Sequence, residues 1–268
     1  MIDNFEKYLK KKLNLADNSI KSYLFALKQY NEMWSEINMK NLREYKVYLI
    51  VNYKPKTVNL RICAINCYLS SIRKEKLKLK FVRVQQRTFL ENVISEADYK
   101  YFKKCLKKDG ELFWYFVIRF LAATGARVSE LIQIKAEHIA VGYLDLYGKG
   151  GKLRRIYIPA ALQKESLAWL NEKGQETGFI FLNQLGDRIT TRGIATQLKK
   201  YAIKYKINPA VIYPHSFRHR FAKSFLERYN DISFLADLMG HESIETTRIY
   251  LRKTATEQQS IVDKIVRW

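Results

Sequence analysis

The sequence predicts a mainly α protein carrying one small β-hairpin: a bundle of short helices over residues 1–81, a linker over 82–92, and a larger α+β domain over 93–268. Three observations predict it. Apolar residues recur in steps of three and four through most of the chain, the spacing of helices buried on one face, and change to alternation only from Ile139 to Ile158. The 268 residues, 47% of them hydrophobic, are long for one core and sufficient for two. Between the two lies Lys80-Phe-Val-Arg-Val-Gln-Gln-Arg-Thr88, basic, without glycine and without a clear period, which reads as an extended connection. There is no internal repeat and no low-complexity tract.

The first amphipathic segment carries Phe5 and Leu9. Ser19 stands as an N-cap for a second helix, whose apolar stripe runs Ile20, Tyr23, Leu24, Leu27, Tyr30, Trp34. A third segment holds Leu42, Tyr45 and Leu49. A fourth begins at Pro55, a residue favoured at a first helical position, and repeats Val58, Ile62, Ile65, Leu69, Ile72. The polar faces are dense in lysine, among them Lys21, Lys28, Lys54 and Lys56, and the acids that would pair them are few. Such faces suit the phosphate backbone of a nucleic acid.

In the second domain Ser95-Glu-Ala-Asp98 opens a helix in the manner of a capping box, with Asp in the third place. Leu112–Ala123 is a run of about twelve residues, strongly apolar, too short to span a bilayer and so a core helix. Gly125 then stops the helix and lets Arg127 project from the start of another. Tyr143–Tyr147 and Leu153–Ile158 alternate on either side of Gly148-Lys-Gly-Gly-Lys152, the pattern of a hairpin. Residues 160–173 read as a helix, 178–183 as a short strand, and Thr191 to about Lys206 as a helix with Arg192 and Lys199 on its polar side. Asp231 begins a helix that Gly240 ends, and Ser243 caps the one bearing Tyr250.

Forty-eight Lys and Arg against 26 Asp and Glu give a formal charge of +22. Residues 1–88 carry 19 basic and 7 acidic side chains, net +12, and residues 89–268 carry 29 and 19, net +10. An excess spread over both domains suits a protein that grips a polyanion with each. The three cysteines, Cys63, Cys67 and Cys105, are odd in number and contain no C-x-x-C pair, so neither a disulfide framework nor a zinc site is expected. With no apolar signal region and no run approaching a membrane span, a cytoplasmic location is expected.

The chemistry concentrates in His215-Ser-Phe-Arg218-His219 and Gly240-His241 through Tyr250. Arg218 offers a planar fork of donors for phosphate oxygens, His215 and His241 can hydrogen-bond or move protons near neutral pH, and Tyr250 can act as nucleophile. A phenol titrates near pH ~10, so it attacks a phosphodiester usefully only where cations stabilise the phenolate and the five-coordinate phosphorus. A histidine and an arginine three apart ordinarily form a solvated helix face, and Ile249-Tyr250 at helical spacing from Ile244 ordinarily enters a core. The ordered set is more specific than its members. H-x-x-R-H over 215–219, L-M-G-H over 238–241 and T-T-x-I-Y over 246–250 resemble the C-terminal motifs of the tyrosine recombinases, the phage integrase family of site-specific DNA recombinases, with Xer-like proteins among them. T-G-x-R-x-S-E-L over 124–131 resembles that family's first arginine motif, and G-K-G-x-K over 148–152 its lysine hairpin.

The resemblance implies that Arg127 and Arg218 hold one phosphate and that His241 donates to it. It implies that Tyr250 attacks to leave a 3′-phosphotyrosyl link, that His215 takes or relays the phenolic proton, and that Lys149, with Lys152 as the second candidate, protonates the departing 5′-oxygen. Glu130 would orient the histidine cluster behind them. It further implies a helical, SAM-like core-binding domain over 1–81, no metal and no other cofactor, and double-stranded DNA recombination sites as partner. A homotetramer on two duplexes would form through the C-terminal helix bearing Ile261, Val262, Ile265, Val266 and Trp268, with a partner recombinase or accessory protein possible. A separate arm-binding domain, present in some phage integrases, is not expected. A type IB topoisomerase-like nicking-closing enzyme, or a non-catalytic DNA-binding protein on the same fold, would share parts of this pattern.

Overall fold

The computed structural model describes residues 2–85, 92–147, 153–241, 243–251 and 255–266. The chain divides into two compact units, residues 1–86 and 87–268.

The first unit is all helical: α1 (Ile2–Lys11), α2 (Asp17–Met33), α3 (Met39–Asn52) and α4 (Pro55–Ser71), with a short 3-10 turn at Glu75–Leu77. The apolar stripes meet as their periodicity requires. Phe5, Leu9, Ile20, Leu27, Tyr30, Leu42, Tyr45, Leu49, Val58, Ile62, Ile65 and Leu69 form one core, with Tyr23, Leu24 and Trp34 packed at its edge. The sequence places an N-cap at Ser19; the N-cap is instead Ala16, three residues earlier, with Asp17 in the first turn beside the positive end of the dipole. Two asparagines on α4 fasten the chain that leaves the bundle. The Asn66 carboxamide accepts the Leu79 N–H and donates to the Leu79 carbonyl, and Asn59 does the same for Val82. They lie seven residues apart on one helix face, so the segment the sequence reads as free linker from Lys80 begins pinned along α4.

The second unit comprises α5 (Glu96–Lys108), α6 (Leu112–Thr124), α7 (Val128–Leu131), α8 (Ala136–Val141), α9 (Ala160–Glu172), α10 (Thr191–Lys204), α11 (Pro214–Arg228), α12 (Ile232–Met239), α13 (Ile244–Arg248) and α14 (Ala255–Ile265), with a two-stranded sheet between α8 and α9. Strands β1 (Tyr143–Tyr147) and β2 (Leu153–Tyr157) pair antiparallel, with Leu144 opposite Ile156 and Leu146 opposite Arg154. The apolar α6 lies at the centre, packed against α5, α9 and α11. Ser95 caps α5, accepting the Asp98 N–H, as its sequence predicts.

Two further expectations fail. Ile139 is buried within α8; the alternation starts only after Gly142 ends that helix in a left-handed conformation. Residues 178–183 form no strand. They make only isolated bridges, Lys135 with Phe179 and Leu182 with Arg188. The apolar run that reads as a strand is there because Ile180 and Phe181 enter the core.

Candidate active site

Gly125 ends α6 at φ 63°, a left-handed conformation that glycine adopts without a Cβ penalty, and a side chain there would run into the Phe221 ring. The reversal puts Arg127 at the N-cap of α7. Glu130, three residues on, accepts the Arg127 backbone N–H at 2.6 Å and the Arg127 Nη1 at 2.8 Å, so one carboxylate fixes both the turn and the guanidinium. On α11, Pro214 opens the helix and His215, Arg218 and His219 follow at helical spacing. Arg218 is almost wholly buried, at 2% exposure. A buried guanidinium must be answered by acceptors. It donates to the carbonyl of Gly125 and, at 2.7 Å, to that of Met239.

Helix α12 ends at Gly240, φ 59°. Three arginines from three different elements donate to its last three carbonyls in turn. Arg154 of β2 holds Leu238 through Nε (3.1 Å) and Nη2 (3.0 Å), Arg218 holds Met239, and Arg127 Nη2 holds Gly240 at 3.1 Å. Carbonyls at a helix C-terminus lack intrahelical partners and carry the negative end of the dipole, so the guanidiniums find there a partial anion. The turn next delivers His241, whose Nε2 lies 3.1 Å from Arg218 Nη2 and whose Nδ1 lies 2.7 Å from the buried Thr247 hydroxyl. Tyr250 sits in the 3-10 turn that follows α13, 5% exposed, its ring stacked on His241 at 6.2 Å and tilted against His219 at 5.3 Å.

Electrostatics follow from this packing. Burial pushes the Tyr250 phenol up, and the Arg218 and Arg127 charges draw it back. Burial together with the arginine charges pushes His241 down to about 4; burial, His215 and Arg218 push His219 down to about 4. His215, at the exposed edge, is also lowered, first by the part of its ring that is covered and then by Arg218. Burial and the neighbouring Arg127 and Arg154 lower Arg218 to about 10, still a cation at neutral pH. Burial works to raise the Glu130 carboxyl, but Arg154 and the Arg127 hydrogen bonds outweigh it and leave it below its ordinary value. The histidines are therefore neutral here, and Arg127, Arg154 and Arg218 against Glu130 leave a net charge of +2.

Of the residues singled out from sequence, Arg127, Glu130, Arg218, His241 and Tyr250 converge, with His215 one turn before Arg218. Glu130 differs in role from its expectation. Its hydrogen bonds go to Arg127 and Arg154, with Arg218 at 4.0 Å, so it orients guanidiniums and not histidines. Lys149 and Lys152 lie outside the described residues. Lys21, Lys28, Lys54 and Lys56 are exposed in the first unit, and Arg192 and Lys199 on α10 in the second. Sequence reading passed over Arg154 and His219. The signal for Arg154 was available: it shares the strand face of the buried Ile156 and Ile158, and an arginine in an apolar register requires an anion nearby. His219 carries an Nδ1 that is buried with no hydrogen-bond partner in the structure.

The phage integrase family model matches residues 90–257. The tyrosine recombinase XerA of Pyrococcus furiosus is 28% identical over 273 residues, spanning 98% of this chain and 93% of its own. Two solved structures are similar over nearly the whole chain. XerH site-specific recombinase bound to its difH substrate has a TM-score of 0.71 at 20% identity, covering 100% of this chain and 85% of that one; a lambda integrase dimer bound to a core site has a TM-score of 0.73 at 17% identity, covering 93% of each.

Proposed function

The chain belongs to the phage integrase family, and on that premise we propose how its residues carry out the breaking and rejoining of DNA. It is a Xer-like tyrosine recombinase, an enzyme of site-specific DNA recombination. The observation that supports the assignment of roles is the convergence of Arg127, Arg218, His241 and Tyr250 from four separate elements on one charged, largely buried spot.

In this reading a scissile phosphate docks against Arg127 and Arg218. Each guanidinium has five N–H donors, and Arg127 spends two on Glu130 and Gly240. With the phosphate replacing His241 as the partner of Arg218 Nη2, His241 takes the tautomer protonated at Nε2 and donates to a non-bridging oxygen, its ring fixed by the Thr247 hydroxyl at Nδ1. The Tyr250 oxygen attacks phosphorus, its proton passes to His215, which is neutral and able to accept it, and the bond to the 5′-oxygen breaks with a proton from Lys149. The product is a 3′-phosphotyrosyl link, reversed when a 5′-hydroxyl attacks. A net +2 in a site shielded from water matches the extra negative charge of the five-coordinate transition state, the condition under which fixed cations contribute most. The carboxylate holds the cations and takes no part at phosphorus.

The first unit would act as the core-binding domain, its exposed lysines on the DNA backbone, with residues 93–268 as the catalytic domain and recombination sites in double-stranded DNA as the partner in the cytoplasm. No described helix is long and apolar enough to cross a membrane. A tetramer on two duplexes would form through α14, where Val262 and Ile265, with Val266 just past its end, are 45–64% exposed and so not buried against their own unit. A helix of this length is marginal alone and gains stability from a partner surface. The test uses a duplex recovered from a randomised pool by its covalent attachment to the protein. With two such duplexes carrying different labels, the full chain is expected to form joint products and a chain ending at Thr256 to cleave without exchanging. Relaxation of supercoils with no joining of two duplexes would contradict the reading.

A further inference from the structure

Arg154 lies on the inward face of β2, its side chain 11% exposed, and its guanidinium bridges two parts of the site at once. Nη1 binds Glu130 Oε1, the same oxygen that holds Arg127 Nη1, while Nε and Nη2 grip the Leu238 carbonyl. Its stem also lies directly over Gly240, where a Cβ would strike it. The residue thus touches the anchor of Arg127 on one side and the turn that presents His241 on the other, and does so from the strand that leads out of the lysine hairpin. Its neighbour Arg155 points to the opposite face, paired with Asp145 and stacked on Tyr143 at 3.8 Å, and reaches none of these groups.

We infer that Arg154 is a positioning residue for the DNA-breaking step. It shares the charge of Glu130, so that the carboxylate does not hold Arg127 as an exclusive ion pair, and it locks the end of α12, so that His241 and Arg218 stand where a phosphate meets all three groups. The inference rests on the proposed role of this site. Two consequences separate it from a plain contribution to folding. The function needs a fork, because three bonds to one carbonyl and one carboxylate leave from Nε, Nη1 and Nη2 in fixed directions; an ammonium, a single point, cannot reproduce that geometry. It also depends on Glu130, because the harm of removing Arg154 comes partly from a carboxylate left with Arg127 alone.

The experiment measures covalent attachment under single-turnover conditions, with saturating amounts of the duplex recovered on the wild-type chain, alongside duplex affinity and thermal unfolding. Arg154→Lys and Arg154→Met are expected to bind the duplex within about twofold of wild type yet to form adduct about 10- to 100-fold more slowly, the scale of a misplaced catalytic group. Adding Glu130→Gln to Arg154→Met is expected to recover about tenfold of that loss, and its double-mutant cycle to be strongly non-additive. Lysine at wild-type rate, or effects of Met and Gln that simply add, would overturn the inference, as would a loss that follows only the fraction unfolded. Should the wild-type chain yield no adduct from the pool, it is the proposed function that fails.

Discussion

Arg218 is buried and the two histidines beside Tyr250 half-buried by the same packing, and they respond to it differently. The guanidinium stays charged even when lowered to about 10, whereas His219 and His241, lowered to about 4 from 6.5, give up their protons. The unfolded chain therefore binds more protons than the native one between pH ~6.5 and ~4, and stability is lost as pH falls through that window. Thermal unfolding of the DNA-free protein is expected to show its midpoint dropping steadily from pH 7 to 4.5, and substituting both histidines with Gln to flatten that dependence. A midpoint insensitive to pH over this range would contradict neutral, half-buried imidazoles. At this scale the motifs made Arg127, Arg218, His241 and Tyr250 legible, because reactive residue types recur in a fixed order. They did not reveal Arg154. Two adjacent arginines in a hairpin look like a solvated strand until the register shows that one shares a face with Ile156.

Elements present these side chains through their ends. Two helices, α6 and α12, stop at left-handed glycines, and the freed carbonyls at both ends are taken by arginines. Gly240→Ala would impose a left-handed alanine and push a methyl group into Arg154. It is expected to lower stability by about 1–3 kcal/mol, the cost of strain at such a position, and to slow adduct formation by displacing His241. Calorimetry and the single-turnover assay read the two effects, and an unchanged melting profile would show the turn to be more yielding than its packing indicates. Most helix ends were legible, with Ser95, Asp231, Ser243, Gly125 and Gly240 capping where their chemistry predicts; Ser19 was not, since α2 begins behind Ala16, which has no capping side chain to mark it. The misread strand at 178–183 shows the limit, since an apolar run is shaped by the core it enters as much as by its own period.

Across the whole molecule, the mainly α architecture with one hairpin followed from where periodicity changed, whereas length and apolar content suggested two cores and the described residues form three, Ala222, Leu226, Leu235, Met239 and Tyr250 making a cluster of their own. What periodicity could not reveal was side-chain fastening of the connection. Asn59 and Asn66 sit on the half-polar side of α4, and their double hydrogen bonds to Val82 and Leu79 depend on a chain thirteen or more residues downstream. The charge of +22, shared by both units, fits a partner that is a long polyanion, and the +2 at the centre of the site fits one phosphate of it. Covalent capture of that phosphate by Tyr250 is the claim on which the other roles depend. The most direct measurement traps the adduct on a nicked duplex, digests the protein and identifies the peptide and the DNA end joined to it. The account predicts Tyr250 linked to a 3′-phosphate, with no adduct from Tyr250→Phe although that variant binds DNA normally; a different residue, a 5′ linkage, or an undiminished adduct in the variant would contradict it.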